Sequence, residues 1–93
     1  MTTVATFDIE YVQYLDPEGK LVREDLPEFA QDPARVVEVY KQMSFLRVFD
    51  GKAVNLQRTG KLGTYASCLG HEAAHVSIGT AMHEDDCFAP MYR

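Results

Sequence analysis

The chain is short and acidic, with 93 residues, nine basic and fourteen acidic side chains and a net charge of −5. This length allows at most one small domain, and the negative charge argues against the basic face that nucleic-acid binding requires. No run of about 18 apolar residues is present, so we expect no membrane span. The start lacks the features of a secretory signal. Cys68 and Cys87 form no C-x-x-C pair, and we expect both to be free, reduced and packed in a cytoplasmic protein.

The first predicted element is a β-hairpin near the N-terminus. Three apolar residues alternate with Asp8, Glu10 and Val12 in the period of a half-buried strand, and they are Phe7, Ile9 and Tyr11. The Asp-Pro-Glu-Gly sequence at 16–19 has the composition of a type I turn. Leu21 and Val22 then provide the returning strand. Residues 23–32 are polar and are interpreted as a linker, so residues 1–32 form a hairpin arm with its linker.

A long helix is predicted to begin at Asp32 and Pro33, because Asp caps helix N-termini and Pro is tolerated at the first helical position. Apolar side chains follow at steps of three or four residues, and they are Val36, Val39, Tyr40, Met43, Leu46, Phe49, Ala53 and Leu56. This stripe predicts a helix of roughly 25 residues, which ends near Gly60. A hairpin and a short helix cannot cover so long a stripe. We therefore expect the chain either to oligomerise or to be the front piece of a larger protein.

A second, short helix rich in small residues is predicted from about residue 71 to residue 82. An acidic turn at 84–86 ends it. Cys87, Phe88 and Ala89 are then predicted to form a buried strand that leads to Tyr92. The sequence therefore predicts a mixed α/β fold with a β-hairpin arm, a long helix, a short helix and a strand.

The sequence HEAAH at 71–75 matches a zinc hydrolase pattern, in which His71 and His75 would chelate the metal and Glu72 would act as general base. The extended form of this pattern requires Gly and His where the chain has Ile78 and Ala81. The alternative interpretation is that both histidines are interface or solvent residues.

Two further motifs have simpler interpretations. The Gly-Lys pair at 60–61 lacks the other residues of a phosphate-binding loop, so we interpret it as a helix stop and a turn. Cys68 lies near His71 and could form a nucleophile pair with it, but a small packed side chain is the plainer interpretation. Tyr92 and Arg93 could grip phosphate oxygens, because a phenol and a guanidinium donate hydrogen bonds to them.

Four short motifs in order carry a family resemblance, and they are Tyr40, Met43, Arg47 and Asp50; Gln57, Gly60, Lys61, Leu62 and Gly63; Gly70, His71, Glu72 and Ala73; and Tyr92 and Arg93. From about residue 39 to residue 93 the chain resembles the alpha subunits of the thiamine-diphosphate-dependent first component of the 2-oxo acid dehydrogenase complexes. It is most similar to bacterial pyruvate dehydrogenase alpha subunits. The predicted hairpin also resembles the N-terminal arm of this family.

The resemblance implies an enzyme of two alpha and two beta subunits that binds thiamine diphosphate and Mg²⁺ at alpha/beta interfaces. Such an enzyme decarboxylates a 2-oxo acid and passes the acyl group to a lipoyl acyltransferase. Tyr92 and Arg93 match the pair that contacts the cofactor's diphosphate. Ala66 stands where some members have a substrate-contacting histidine, which leaves the 2-oxo acid open.

Residues 33–93 would then be the start of the thiamine-diphosphate-binding α/β domain. The segment that holds Mg²⁺ in this family lies downstream of residue 93. We therefore expect the chain to be an N-terminal fragment that carries no catalytic residue and is inactive alone. Two other functions remain open, and they are a free-standing interaction module that docks through the long helix and the zinc hydrolase.

Overall fold

The computed structural model describes residues 1–91, and their regular structure is entirely helical. A 3₁₀ helix spans Glu28–Gln31, α1 spans Pro33–Arg58 and α2 spans Glu72–Ala81. The chain divides into two compact units, Met1–Gln31 and Asp32–Arg93. The prediction of a mixed α/β fold is therefore wrong, because the described residues contain no strand beyond one isolated bridge.

The N-terminal hairpin stops after its turn. The Asp16 carboxylate accepts hydrogen bonds from the backbone N–H groups of Glu18 and Lys20 at 3.0 and 2.8 Å, which fixes the predicted turn. Leu15 and Leu21 then form a single antiparallel bridge.

The register of that bridge explains why no ladder follows it. Continuing the register would pair Glu10 with Leu26, whose backbone N–H instead donates to the Glu24 carbonyl at 3.0 Å. It would also place residue 8 opposite the first residue of the 3₁₀ helix. The alternating pattern at residues 7–12 is typical of a strand, but the residues opposite it provide no partner strand, so the predicted hairpin is wrong.

The predicted strand near the end of the chain is also absent. The acidic turn forms as predicted, and the His83 backbone N–H donates to the Asp86 carboxylate at 2.7 Å. Cys87, Phe88 and Ala89 then continue as exposed, irregular chain. A strand requires a neighbour for its backbone hydrogen bonds, and none lies among residues 1–91. Tyr92, where that strand was to lead, lies outside the described residues.

Both predicted helices are confirmed, and their ends have clear causes. The Asp32 carboxylate accepts a hydrogen bond from the Ala34 N–H at 3.1 Å, with Pro33 at the first helical position. At the other end, Gly60 has a φ of 76°. The N–H groups of Gly60 and Lys61 donate back to the carbonyls of Gln57 and Leu56, which is the Schellman arrangement. This confirms the predicted helix stop.

The second unit buries few side chains. α1 and α2 contact each other, and the buried residues are Ala53, Cys68, Asp50 and Glu72. Several large apolar side chains of α1 remain exposed, among them Tyr40, Phe45, Val48 and Phe49. No helix in the described part of the chain is long and apolar enough to cross a bilayer. Two of the four side chains that are buried within residues 32–91 are therefore carboxylates.

Alanine at Gly51, inside α1, and alanine at Gly60, just after its end, should change the free energy of unfolding in opposite directions. Gly51 lies inside the helix and an added Cβ would meet open space, so Gly51→Ala should stabilise the protein by about 0.5–1 kcal/mol. Gly60 also has open space, but its positive φ should make Gly60→Ala destabilising by about 1–2 kcal/mol. Chemical denaturation of both variants measures this. Shifts in the same direction would contradict the assignment of the helix end.

Candidate functional site

The best-defined polar site is centred on Asp50, on the inner side of α1. Asp50 is only 3% exposed, and its carboxylate accepts three hydrogen bonds. The donors are the hydroxyls of Tyr65 and Ser67, each at 2.7 Å, and the backbone N–H of Cys68 at 2.8 Å. Among residues 1–91 no cation forms an ion pair with Asp50. Within the described part of the chain, three donors therefore stabilise this buried anion without a counter-ion.

The pKa values of this cluster follow from those hydrogen bonds. The Ser67 hydroxyl, the Cys68 N–H and the Tyr65 hydroxyl together hold the pKa of Asp50 well below its usual range. Hydrogen bonding to Asp50, followed by desolvation, raises the pKa of Tyr65 to about 12. Asp50 is therefore ionised and Tyr65 protonated at neutral pH.

The Asp50 cluster fixes the segment that joins the two helices. The Ser67 hydroxyl oxygen accepts a hydrogen bond from the Leu69 N–H at 3.2 Å, and the Cys68 carbonyl accepts one from the His71 N–H at 2.9 Å. The chain reverses at Gly70, with a φ of 89°, and α2 begins at Glu72. These hydrogen bonds thus fix residues 65–71 between α1 and the first turn of α2.

An ion pair forms a second link between α1 and α2. Arg47 lies one turn before Asp50, and its Nε donates to Glu72 Oε1 at 2.7 Å. The Arg47 side chain is 61% exposed, whereas that of Glu72 is 4% exposed. The hydrogen bond from Arg47, aided by backbone N–H groups at the start of α2, lowers the pKa of Glu72 to about 2.

The geometry of HEAAH argues against a zinc hydrolase. His71 precedes the first turn of α2, and its ring centroid lies 6.0 Å from that of His75. Glu72 would have to be the general base, but its carboxylate accepts a hydrogen bond from Arg47. Its pKa is lowered to about 2, whereas a general base needs a pKa near the working pH. No three metal-binding side chains gather within residues 1–91.

The surroundings of Cys68 argue against a nucleophile pair with His71. Both cysteines are free, as predicted, but only Cys68 is buried; Cys87 is exposed, so the prediction that it is packed is wrong. Cys68 is buried, and that burial, together with the nearby Asp50, raises the pKa of its thiol, so little of it is thiolate at neutral pH. Cys68 is therefore a packed side chain whose backbone N–H binds Asp50. Ala66 is exposed between the two residues whose hydroxyls bind Asp50.

A half-open groove of about 410 Å³ runs beside the ion pair. Its lining is part apolar and part polar, and the residues are Tyr40, Met43, Ser44, Arg47, Val48 and Glu72. Arg47 and Glu72 are its charged lining residues.

The residues predicted to contact a cofactor, Tyr92 and Arg93, lie outside the described residues, so their placement stays a prediction. The sequence analysis quoted Arg47, Asp50 and Glu72 only as family markers and gave them no role. One indication was available for Asp50, which lies four residues after Leu46 and three before Ala53 in the apolar stripe of α1, where a buried acid needs partners.

Comparison with known proteins identifies the family. The family described as the dehydrogenase E1 component matches residues 40–93. The chain therefore belongs to the dehydrogenase E1 component family, whose members in general depend on thiamine diphosphate.

The curated relatives are consistent with this family. The chain is 36% identical over 85 residues to the pyruvate dehydrogenase E1 component subunit alpha of Staphylococcus epidermidis, and equally to that of Staphylococcus aureus. The alignments cover 90% of this chain but only 22% of the relatives' length. No solved structure matches the chain.

Proposed function

We propose that the chain is the N-terminal part of the alpha subunit of a pyruvate dehydrogenase, or of a related 2-oxo acid dehydrogenase. The whole enzyme would carry out thiamine-diphosphate-dependent oxidative decarboxylation and pass the acyl group to a lipoyl carrier. The observation that carries the proposal is the 36% identity over 85 residues to subunits with that name. Pyruvate is the proposed substrate because both relatives are named for it.

Tyr92 and Arg93 are proposed to hold the diphosphate of thiamine diphosphate. The chemistry of these donors suits the group, because a guanidinium fork and a phenol can both donate to phosphate oxygens. Residues 1–91 offer no cluster of three carboxylates or similar ligands for Mg²⁺, and we propose that its ligands lie downstream of residue 93. When bound, thiamine diphosphate would supply the carbanion chemistry of decarboxylation.

The described residues are proposed to act as a scaffold rather than in bond making. Asp50 holds residues 65–68 against α1, and Arg47 holds the start of α2. These two links fix the helix–loop–helix arrangement of α1, the connecting loop and α2. We propose that this arrangement begins the thiamine-diphosphate-binding domain at residue 33. A fragment with these residues alone would therefore be inactive.

The proposed partners are a beta subunit, in an assembly of two alpha and two beta subunits, and the lipoyl acyltransferase of the complex. The proposed location is the cytoplasm. The exposed side chains of α1, such as Tyr40 and Phe45, favour contact with other protein surfaces. This exposure also favours the second candidate, a free-standing interaction module, which would show no decarboxylase activity with a beta subunit.

Substitution of Arg93 tests the proposed cofactor role. In the full-length alpha subunit assembled with its beta subunit, Arg93→Ala should raise the Kd for thiamine diphosphate, in saturating Mg²⁺, by about 10- to 100-fold, because a charge-assisted hydrogen bond is lost. Arg93→Lys should lose less, because it keeps the charge but not the fork. Calorimetric titration measures both values.

Arg35→Ala is the matched control, because Arg35 is an exposed residue in the first turns of α1. It should leave the Kd unchanged. An unchanged Kd in Arg93→Ala would reject the role of Arg93 alone. An assembled wild type that binds no thiamine diphosphate and decarboxylates no 2-oxo acid would reject the proposed function.

A further inference from the structure

We draw no further inference here: the strongest candidate, the half-open groove beside the Arg47–Glu72 pair on α1, is an unpartnered surface in a chain that spans 22% of its relatives' length, and nothing within residues 1–91 shows what covers it.

Discussion

Replacing Asp50 with alanine is expected to lower the Tm of the protein by on the order of 10 °C. The substitution removes the acceptor of three hydrogen bonds and leaves the Cys68 N–H buried without a partner. Unpaired buried donors are costly, and hydrogen bonds to a charged group are stronger than neutral ones. Hydrogen exchange should also show faster opening of residues 65–71, which the cluster holds against α1.

The conservative variant Asp50→Asn separates the effect of the negative charge from the effect of the hydrogen-bond geometry. Asp50→Asn keeps one carbonyl oxygen for the Tyr65 hydroxyl and the Cys68 N–H, and its amide can donate to the Ser67 hydroxyl oxygen. The Tm of Asp50→Asn should therefore lie between those of the wild type and Asp50→Ala. Glu38→Gln, a change of one exposed carboxylate on the same helix, is the control and should leave the Tm within about 2 °C of wild type. An equally small effect of Asp50→Ala would contradict the importance of the cluster.

The helices could be predicted from the sequence because their determinants are local. Asp32 and Pro33 set the start of α1 through contacts within one turn, and Gly60 sets its end through its own backbone conformation. The apolar stripe between them has the period of a helix over its whole length. Neither feature depends on what the helix packs against.

The hairpin could not be predicted from its local pattern, although its turn could. Asp16 binds the backbone as its residue type suggests. A strand depends in addition on what lies opposite, and here the Leu26 N–H donates to the Glu24 carbonyl and the 3₁₀ helix follows. The predicted strand at 87–89 failed for the same reason, since a pairing partner is a property of the fold and not of the segment.

The Asp50 cluster and the Arg47–Glu72 pair could be predicted only in part. The residue types were visible as family markers, but the contacts join residues 15 to 25 positions apart, such as Asp50 with Tyr65 and Arg47 with Glu72. Such contacts depend on how the loop returns to α1, which no local pattern specifies. Glu72 shows the consequence most clearly, because HEAAH suggested a catalytic base and the fold makes it a structural anion.

The Arg47–Glu72 pair should respond asymmetrically to loss of either partner. Arg47→Met leaves a carboxylate that is 4% exposed without its cation, whereas Glu72→Gln leaves a guanidinium that is already 61% exposed to water. A buried charge without a partner is costly, and an exposed one is not. Arg47→Met should therefore lower the Tm more than Glu72→Gln at pH 7. Arg35→Met, at an exposed site of α1, is the control.

The pH dependence of this difference follows from the pKa of Glu72. In the wild type that pKa is lowered to about 2, so the pair's stabilisation is present above the unfolded pKa of about 4.3 and is lost as the pH falls towards 2. Without Arg47 the folded pKa should rise, which removes this contribution at neutral pH. The Tm difference between wild type and Arg47→Met should thus be largest at pH 6–8 and narrow below about pH 4. Parallel Tm curves from pH 3 to pH 8 would show that Arg47 does not stabilise the Glu72 carboxylate.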